Sequence, residues 1–322
     1  MGMIMLHSFF VKYVDEPRLL AIYAFFAFVL TAILLRVNFR FLPVDHGRVN
    51  AVDGELSKGK TRGVGFVMML CFAVCIALFL PFRVESAIYA LILIAEMLSG
   101  YLDDASKIPW SDYKKGLIDF VLSIGVGIVF VLFNPSTIAF GSHVVTLPRA
   151  VYAILATILV WMAINAVNCT DGVDGLSSSV GIVSIASMLL IYRASFEVEY
   201  MGFGMLFIAV LAAYLLFNAS PSSQLMGDAG SRPLGILLAL LAMKSGHPLC
   251  FLLLCAVFIL DGITGLVKIF LKRFFRISIL KNIRTPLHDE VRKNRGWSDP
   301  QVVIRFAIIQ ILFSVIWYIT TL

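Results

Sequence analysis

Four oxygen-bearing side chains stand three residues apart in the stretch Asn165-Ala-Val-Asn168-Cys-Thr-Asp171-Gly-Val-Asp174-Gly-Leu176, which separates two long apolar runs and contains no lysine or arginine. Residues at that spacing share one face of a helix, so two amides and two carboxylates there can meet a cation or a polar ligand together. Helix capping accounts for part of the pattern, with Thr170 or Asp171 as an N-cap and the next acid in the first turn. Capping leaves the asparagines unexplained, because buried amides need partners.

Other segments carry chemistry of the same kind. Asp103-Asp104-Ala-Ser-Lys107 sets two carboxylates side by side, with a cation one helical turn from the first. Such a pair repels itself unless a positive charge sits against it. Mg2+ suits that position, since it takes one or two carboxylates and keeps water and phosphate as its other ligands. The plainer alternative is a pair of solvated acids at a helix end, with Lys107 as an i,i+4 partner. Met226-Gly-Asp228-Ala-Gly-Ser-Arg232 flanks an acid with small residues at a helix start, which permits close backbone approach and offers N–H groups to phosphate. A helix cap in a flexible loop reads the same way. Ser57-Lys58-Gly59-Lys60-Thr61-Arg62-Gly63-Val-Gly65 also suits a phosphate, although its spacing is not that of a Walker A loop. His288 lies in the most basic loop, 268–295, whose charges suit either anionic lipid or a multiply charged phosphate substrate. Glu96 and Asp261 fall inside apolar runs, where an ionisable side chain is a functional hypothesis by default.

The elements that must position these residues are membrane helices. The chain is 60% hydrophobic and 14% charged, with a mean hydropathy of +0.93, whereas a soluble domain carries about a quarter charged residues. The net charge of +6 calls for no nucleic-acid partner, because it follows from where the basic residues lie. Five cysteines have no paired spacing, and four of them lie in apolar runs, as helix-packing residues do. The first apolar run follows Arg18 without a small-residue cleavage site, so a retained span is expected rather than a signal peptide.

An all-α integral membrane domain over 1–322 follows, with about ten transmembrane helices near 19–36, 64–81, 86–102, 117–133, 150–167, 176–192, 201–218, 232–246, 249–270 and 302–321. The eighth is short, and Asp261-Gly262-Ile-Thr-Gly265 interrupts the ninth, which predicts a break or bend there. Of the 26 Lys and Arg residues, all but Lys12, Arg18, Arg83, Arg149, Arg193 and Lys244 fall on one side of this map. The positive-inside rule makes that side cytoplasmic and puts both termini outside. The segment 133–148 then lies outside, with strand character at Ser142–Leu147 that suits a short hairpin. Every acid and amide cluster named above falls on the cytoplasmic side, which predicts a cytoplasmic active-site cleft.

In their order along the chain these motifs match a known family. Asp45-His-Gly-Arg48, Ser57-Lys-Gly-Lys60, Asp103-Asp104-Ala-Ser-Lys107, the 165–175 stretch, Phe217-Asn218-Ala-Ser-Pro221, Met226-Gly-Asp-Ala-Gly-Ser231, Pro286-Leu-His288 and Gly296-Trp-Ser-Asp-Pro-Gln-Val-Val-Ile-Arg-Phe306 carry the match over nearly the whole chain. The chain resembles the polyprenyl-phosphate N-acetylhexosamine-1-phosphate transferases, and among them the branch that makes lipid I for bacterial peptidoglycan. The resemblance implies a multi-pass protein of the bacterial inner (cytoplasmic) membrane that moves phospho-MurNAc-pentapeptide from UDP-MurNAc-pentapeptide to undecaprenyl phosphate, releasing UMP, with Mg2+ required. It also implies roles. Asp228 resembles the acid that holds Mg2+, and Asp103 and Asp104 the pair beside the lipid phosphate, one of which takes its proton. Asn168, Asp171 and Asp174 match the nucleotide-side wall, with Asn218 a neighbouring contact. Lys58, Lys60 and Lys107 are the cations expected at phosphate, Lys115 is a looser match, and His288 matches the first of three consecutive histidines.

Three positions depart from the family pattern. His288-Asp289-Glu290 stands where three histidines are usual, Leu225 where a phenylalanine stacks on uracil, and the Lys-Gly-Lys-Thr-Arg-Gly run lacks its usual proline. A UDP-GlcNAc transferase of the same superfamily is the second reading. An ion-coupled transporter is the remote third, since only Glu96 and Asp261 sit where a transporter carries its ionisable groups. Small-residue helix faces suit a homodimer in the lipid bilayer.

Overall fold

The computed structural model describes residues 6–321 apart from 38, 46, 48–56, 141 and 142. His46, Arg48 and Ser142, named above, lie outside the described residues. The chain is mostly helical. A short α1 (Leu6–Phe10) precedes α2 (Glu16–Leu35), α3 (Gly65–Phe79), α4 (Val84–Asp104) and α5 (Asp112–Phe133). A hairpin of β1 (Thr137–Phe140) and β2 (His143–Thr146) follows, in the register Thr137 to Thr146 and Phe140 to His143. Next come α6 (Arg149–Thr170), α7 (Leu176–Ile191), α8 (Val198–Asn218) and α9 (Asp228–Lys244). The chain continues through α10 (Pro248–Leu254), α11 (Ala256–Phe274), α12 (Leu287–Arg295) and α13 (Asp299–Thr321).

Each of the ten apolar runs coincides with a helix, but not every helix is a span by length and composition. Six are long and apolar enough to cross a membrane, namely α2, α4, α5, α6, α8 and α13, and the bent pair α10 and α11 makes a seventh. The shortfall from ten has a physical reason. At 15, 16 and 17 residues, α3, α7 and α9 rise about 1.5 Å per residue and fall short of an apolar core about 30 Å thick. α9 is the hub of the bundle. Packed by α4, α6, α3, α7 and α8, it is buried at every residue from Asp228 to Met243.

The break predicted at Asp261 lies instead at Cys255, where α10 and α11 meet at 71°. Asp261 sits just beyond it, in a π turn over Ile259–Ile263. A broken helix inside a membrane protein leaves backbone groups that need new partners. Gln310 of α13, fully buried, supplies them. Its Nε2 donates to the Leu253 carbonyl at 3.0 Å and its Oε1 accepts from the Val257 amide at 3.0 Å. Gln310→Leu keeps the volume and strands both groups, so a loss of about 1–3 kcal/mol per group is expected. A thermal midpoint in detergent unchanged by this substitution would show that the break is stabilised some other way.

Candidate active site

One end of the bundle opens into a cavity of about 700 Å3. Its walls come from the ends of α4, α6 and α8, the starts of α5 and α9, the loop before α3, and Arg292 and Asp299 near the α12–α13 corner. Asp103, Asp104, Lys107, Lys115, Asn168, Asp171, Asp174, Asn218, Leu225 and Asp228 all line it. Segments far apart in sequence therefore meet as the motif order predicts. Two expected residues do not line the cavity. Lys58 is on an exposed turn, and His288 is buried behind the wall at 3% exposure.

The floor is built on Asp228, the first residue of α9. Its Oδ1 accepts from Asn168 Nδ2 at 3.1 Å and lies 3.8 Å from Arg62. Its Oδ2 contacts Arg232 and lies 3.5 Å from Lys115. The N-cap of α9 is Gly227, which has no side chain to cap with, and the Asp228 carboxylate is engaged in the site. Gly227 before it has φ +67, and a Cβ there would stand 2.2 Å from Asp104 Oδ2. Glycine is what lets the Asp104 carboxylate reach the α9 N-terminus, where Ala229 N–H donates to it at 3.3 Å.

Arg62 is the second organiser. Its guanidinium bonds Asp104 Oδ1 at 2.8 Å and Asp45 Oδ2 at 2.9 Å. Burial disfavours the Arg62 cation, yet Asp104, Asp228 and Asp45 outweigh it and hold the group above its ordinary value. Burial likewise works against the Asp45 carboxylate, while hydrogen bonds from Ser57, Gly47 and Arg62 keep it below the usual carboxylate range. The adjacent acid of the pair, Asp103, contacts Lys115 and accepts from the Trp110 amide at 2.9 Å.

The turn between α6 and α7 ends α6 at Asp171 through its backbone. α7 starts at Leu176 after Gly175, without a side-chain cap. Asp171 accepts from Ser177 Oγ at 2.5 Å. Asp174 takes the Ser222 amide at 2.9 Å and Lys60 Nζ at 3.3 Å. Asn218 accepts from Gly175 N–H at 2.8 Å and donates to the Gln224 carbonyl at 2.9 Å. These contacts lock the turn to the α8–α9 loop. Asn165 stands apart, its amide donating to its own helix at the Trp161 carbonyl, 2.8 Å away.

His288 approaches the same turn from behind. Asp261 accepts from its backbone N–H at 2.7 Å and meets its Nδ1 at 2.8 Å. A Cβ on Gly172 would fall 2.5 Å from His288 Nε2, so only glycine lets the imidazole sit against the wall. Glu290 accepts from the Arg284 amide and from Asn294, both at 2.7 Å, which is a loop-holding role for a residue that replaces a histidine.

Several site residues escaped sequence reasoning. Arg62 lies in a basic run where every cation reads alike. Asp119 and Arg292 carry no spacing signal, Arg232 shows only as an i,i+4 partner of Asp228, and Asp45 is visible only as part of a motif.

Comparison with known proteins bears on this geometry. Residues 85–246 match the profile of Glycosyl transferase family 4. The phospho-N-acetylmuramoyl-pentapeptide-transferase of Treponema pallidum (strain Nichols) is 36% identical over 320 residues, covering 92% of this chain and 87% of the relative. The chain belongs to the phospho-N-acetylmuramoyl-pentapeptide-transferase family. Transferases of the same name from Dictyoglomus thermophilum (28% identical, 84% of this chain and 89% of the relative) and Halalkalibacterium halodurans (27%, 93% and 96%) align along most of their length. As a transferase of this family, the protein brings Asp103, Asp104, Asn168, Asp171, Asp174, Asn218 and Asp228 from inside the matched profile. Lys60 and Arg62 come from before it.

Removing Arg62 leaves buried carboxylates unpaired. Arg62→Met is expected to cost about 3–5 kcal/mol, with part regained when Asp45→Asn is added. Thermal unfolding of the single and double variants measures this, and equal midpoints for Arg62→Met and the unaltered protein would refute it.

Proposed function

We propose that this multi-pass membrane transferase moves phospho-MurNAc-pentapeptide from UDP-MurNAc-pentapeptide to undecaprenyl phosphate, forming lipid I and UMP. The observation that carries the reading is the convergence of Asp103, Asp104 and Asp228 with Lys60, Arg62, Lys107, Lys115 and Arg292 on one cavity at one end of an apolar bundle. The family membership supports the donor assignment. In this reading the cavity opens to the cytoplasm of a bacterial cell, the short helices α3, α7 and α9 thread its inner membrane together with the seven longer spans, and both termini lie outside. The distribution of Lys and Arg supports that orientation.

Transfer between phosphates is chiefly a matter of positioning and charge neutralisation. The cavity is suited to both. The cations along its wall meet the donor pyrophosphate, and the turn from Asn168 to Asp174 faces the nucleotide. An oxygen of the carrier phosphate forms a bond to the sugar-linked phosphorus while the bond to the bridging oxygen breaks, and UMP takes that oxygen. The proton remaining on the carrier phosphate passes to a carboxylate of the Asp103–Asp104 pair. A two-step route through an aspartyl-phosphate uses the same residues.

Mg2+ fits the donor set. Seven carboxylates line the cavity, Asp45, Asp103, Asp104, Asp171, Asp174, Asp228 and Asp299, beside five cations, Lys60, Arg62, Lys107, Lys115 and Arg292, an excess of acid suited to a divalent ion. No three-residue metal cage forms among the described residues, and an ion held by one or two carboxylates and substrate phosphate needs none. Asp228 is the residue we assign to hold it. The ion would neutralise the pyrophosphate charge that builds during transfer.

Purified protein with undecaprenyl phosphate and Mg2+ is expected to release UMP from UDP-MurNAc-pentapeptide and not from UDP-GlcNAc. Release from UDP-GlcNAc alone would move the protein to the second branch. Asp228→Asn is expected to abolish turnover in a folded protein, and near-normal activity would overturn the metal assignment.

A further inference from the structure

Among the described residues, Arg232 is one of the largest fully buried side chains, at 2% exposure, and it lies inside the helix bundle. One helical turn after Asp228 on α9, its Nη2 contacts Asp228 Oδ2 and stands 3.7 Å from Asp103 Oδ2. Its Nη1 is 3.2 Å from Asp119 Oδ1 on α5 and 3.9 Å from Glu96 Oε1 on α4. Glu96 has no exposure, and no amide, hydroxyl or ring donor among the described residues reaches either of its oxygens.

Stability does not account for this cluster. Taking several charges out of water costs several kcal/mol per ion, and replacing a buried ion cluster by apolar residues is often neutral or stabilising. Ionisable groups kept at such depth mark function. What this cluster does is visible in its connections. Asp119 holds one nitrogen of the guanidinium on the side away from the cavity, with Glu96 3.9 Å from the same nitrogen, and the other nitrogen holds Asp228. The Oδ1 oxygen of Asp228 is left on the cavity side, beside Asn168 and Arg62, both of which line the cavity.

We propose that Arg232 is a positioning residue, anchored from within the bundle by Asp119 with Glu96 alongside, that fixes the orientation of the Asp228 carboxylate toward substrate and Mg2+. The proposal rests on Asp228 being the central acid of the transfer site. It deepens that reading by adding a buried tie from α4 and α5, which no motif announced. Partners that orient metal-holding groups in this way typically change metal affinity or activity by about 10–100-fold when lost.

Two variants of the full chain test it. The triple variant Glu96→Leu, Asp119→Leu, Arg232→Leu removes the buried side of the cluster and leaves Asp228 paired with Lys115 and Arg62, and Asp103 with Lys115. Arg232→Lys keeps the charge, but a single ammonium cannot span Asp228 and Asp119 as the two guanidinium nitrogens do. Both are expected to lower kcat by about 10–100-fold with little change in donor KM. The triple variant is expected to unfold at or above the unaltered midpoint. The Mg2+ concentration that gives half of the ion's thermal shift should rise by a similar factor in both. Unchanged kcat and Mg2+ midpoint in Arg232→Lys would overturn the proposal, as would a triple variant that loses stability but keeps its turnover. Asp228→Asn run in parallel separates the two readings. If it stays active, the reading of Asp228 fails; if it is inactive while both cluster variants turn over normally, only the positioning role fails.

Discussion

Carboxylates crowded at the end of a membrane bundle repel one another, and the head of this protein is arranged around that constraint. Arg62 meets it from the loop side, bonding Asp45 and Asp104 and approaching Asp228. Arg232 meets it from the bundle side, between Asp228, Asp119, Asp103 and Glu96. Lys115 fills the gap between Asp103 and Asp228. Three internal cations hold the acids close without fully cancelling them. In the proposed reaction, the residual negative charge is what a divalent ion and phosphate ligands would complement.

Helix packing exists to bring those acids together. α9 is short because it need not face lipid, and it begins at the acid rather than before it. The bend between α10 and α11 aims Asp261 at His288, whose ring then leans on the Gly172 turn. That support is specific to one imidazole. Asp289 and Glu290, which stand where further histidines are usual, serve local contacts with Arg292, Arg284 and Asn294.

Much of this was legible in the sequence. Apolar runs locate every long helix to within a few residues, because lipid imposes a length and a composition that little else imitates. The clusters at 103–107, 165–175 and 226–231 were readable as chemistry because glycines and paired acids are poor choices for a plain turn. Asp119, Glu96 and Arg232 were not legible as a group, since pairing across three helices leaves no spacing in any one of them. Lys58 and Lys60 looked equivalent, and only the fold separates the one on Asp174 from the one on an exposed turn. His288 was expected at the cavity and stands behind it, a distinction of a few ångströms that sequence does not encode.

The loop before α3 and the loop before α9 are far apart in the chain, yet they are sewn together by main-chain bonds. Leu225 N–H reaches the Thr61 carbonyl at 2.8 Å, Val64 N–H the Leu225 carbonyl at 3.2 Å, and Gly65 N–H the Met226 carbonyl at 3.1 Å. Lys60 and Arg62 ride on one side of this seam and Asp228 on the other. The two walls of the cavity therefore behave as one rigid jaw, and the α6–α7 turn, tied to that jaw through Asp174 and Asn218, belongs to the same body.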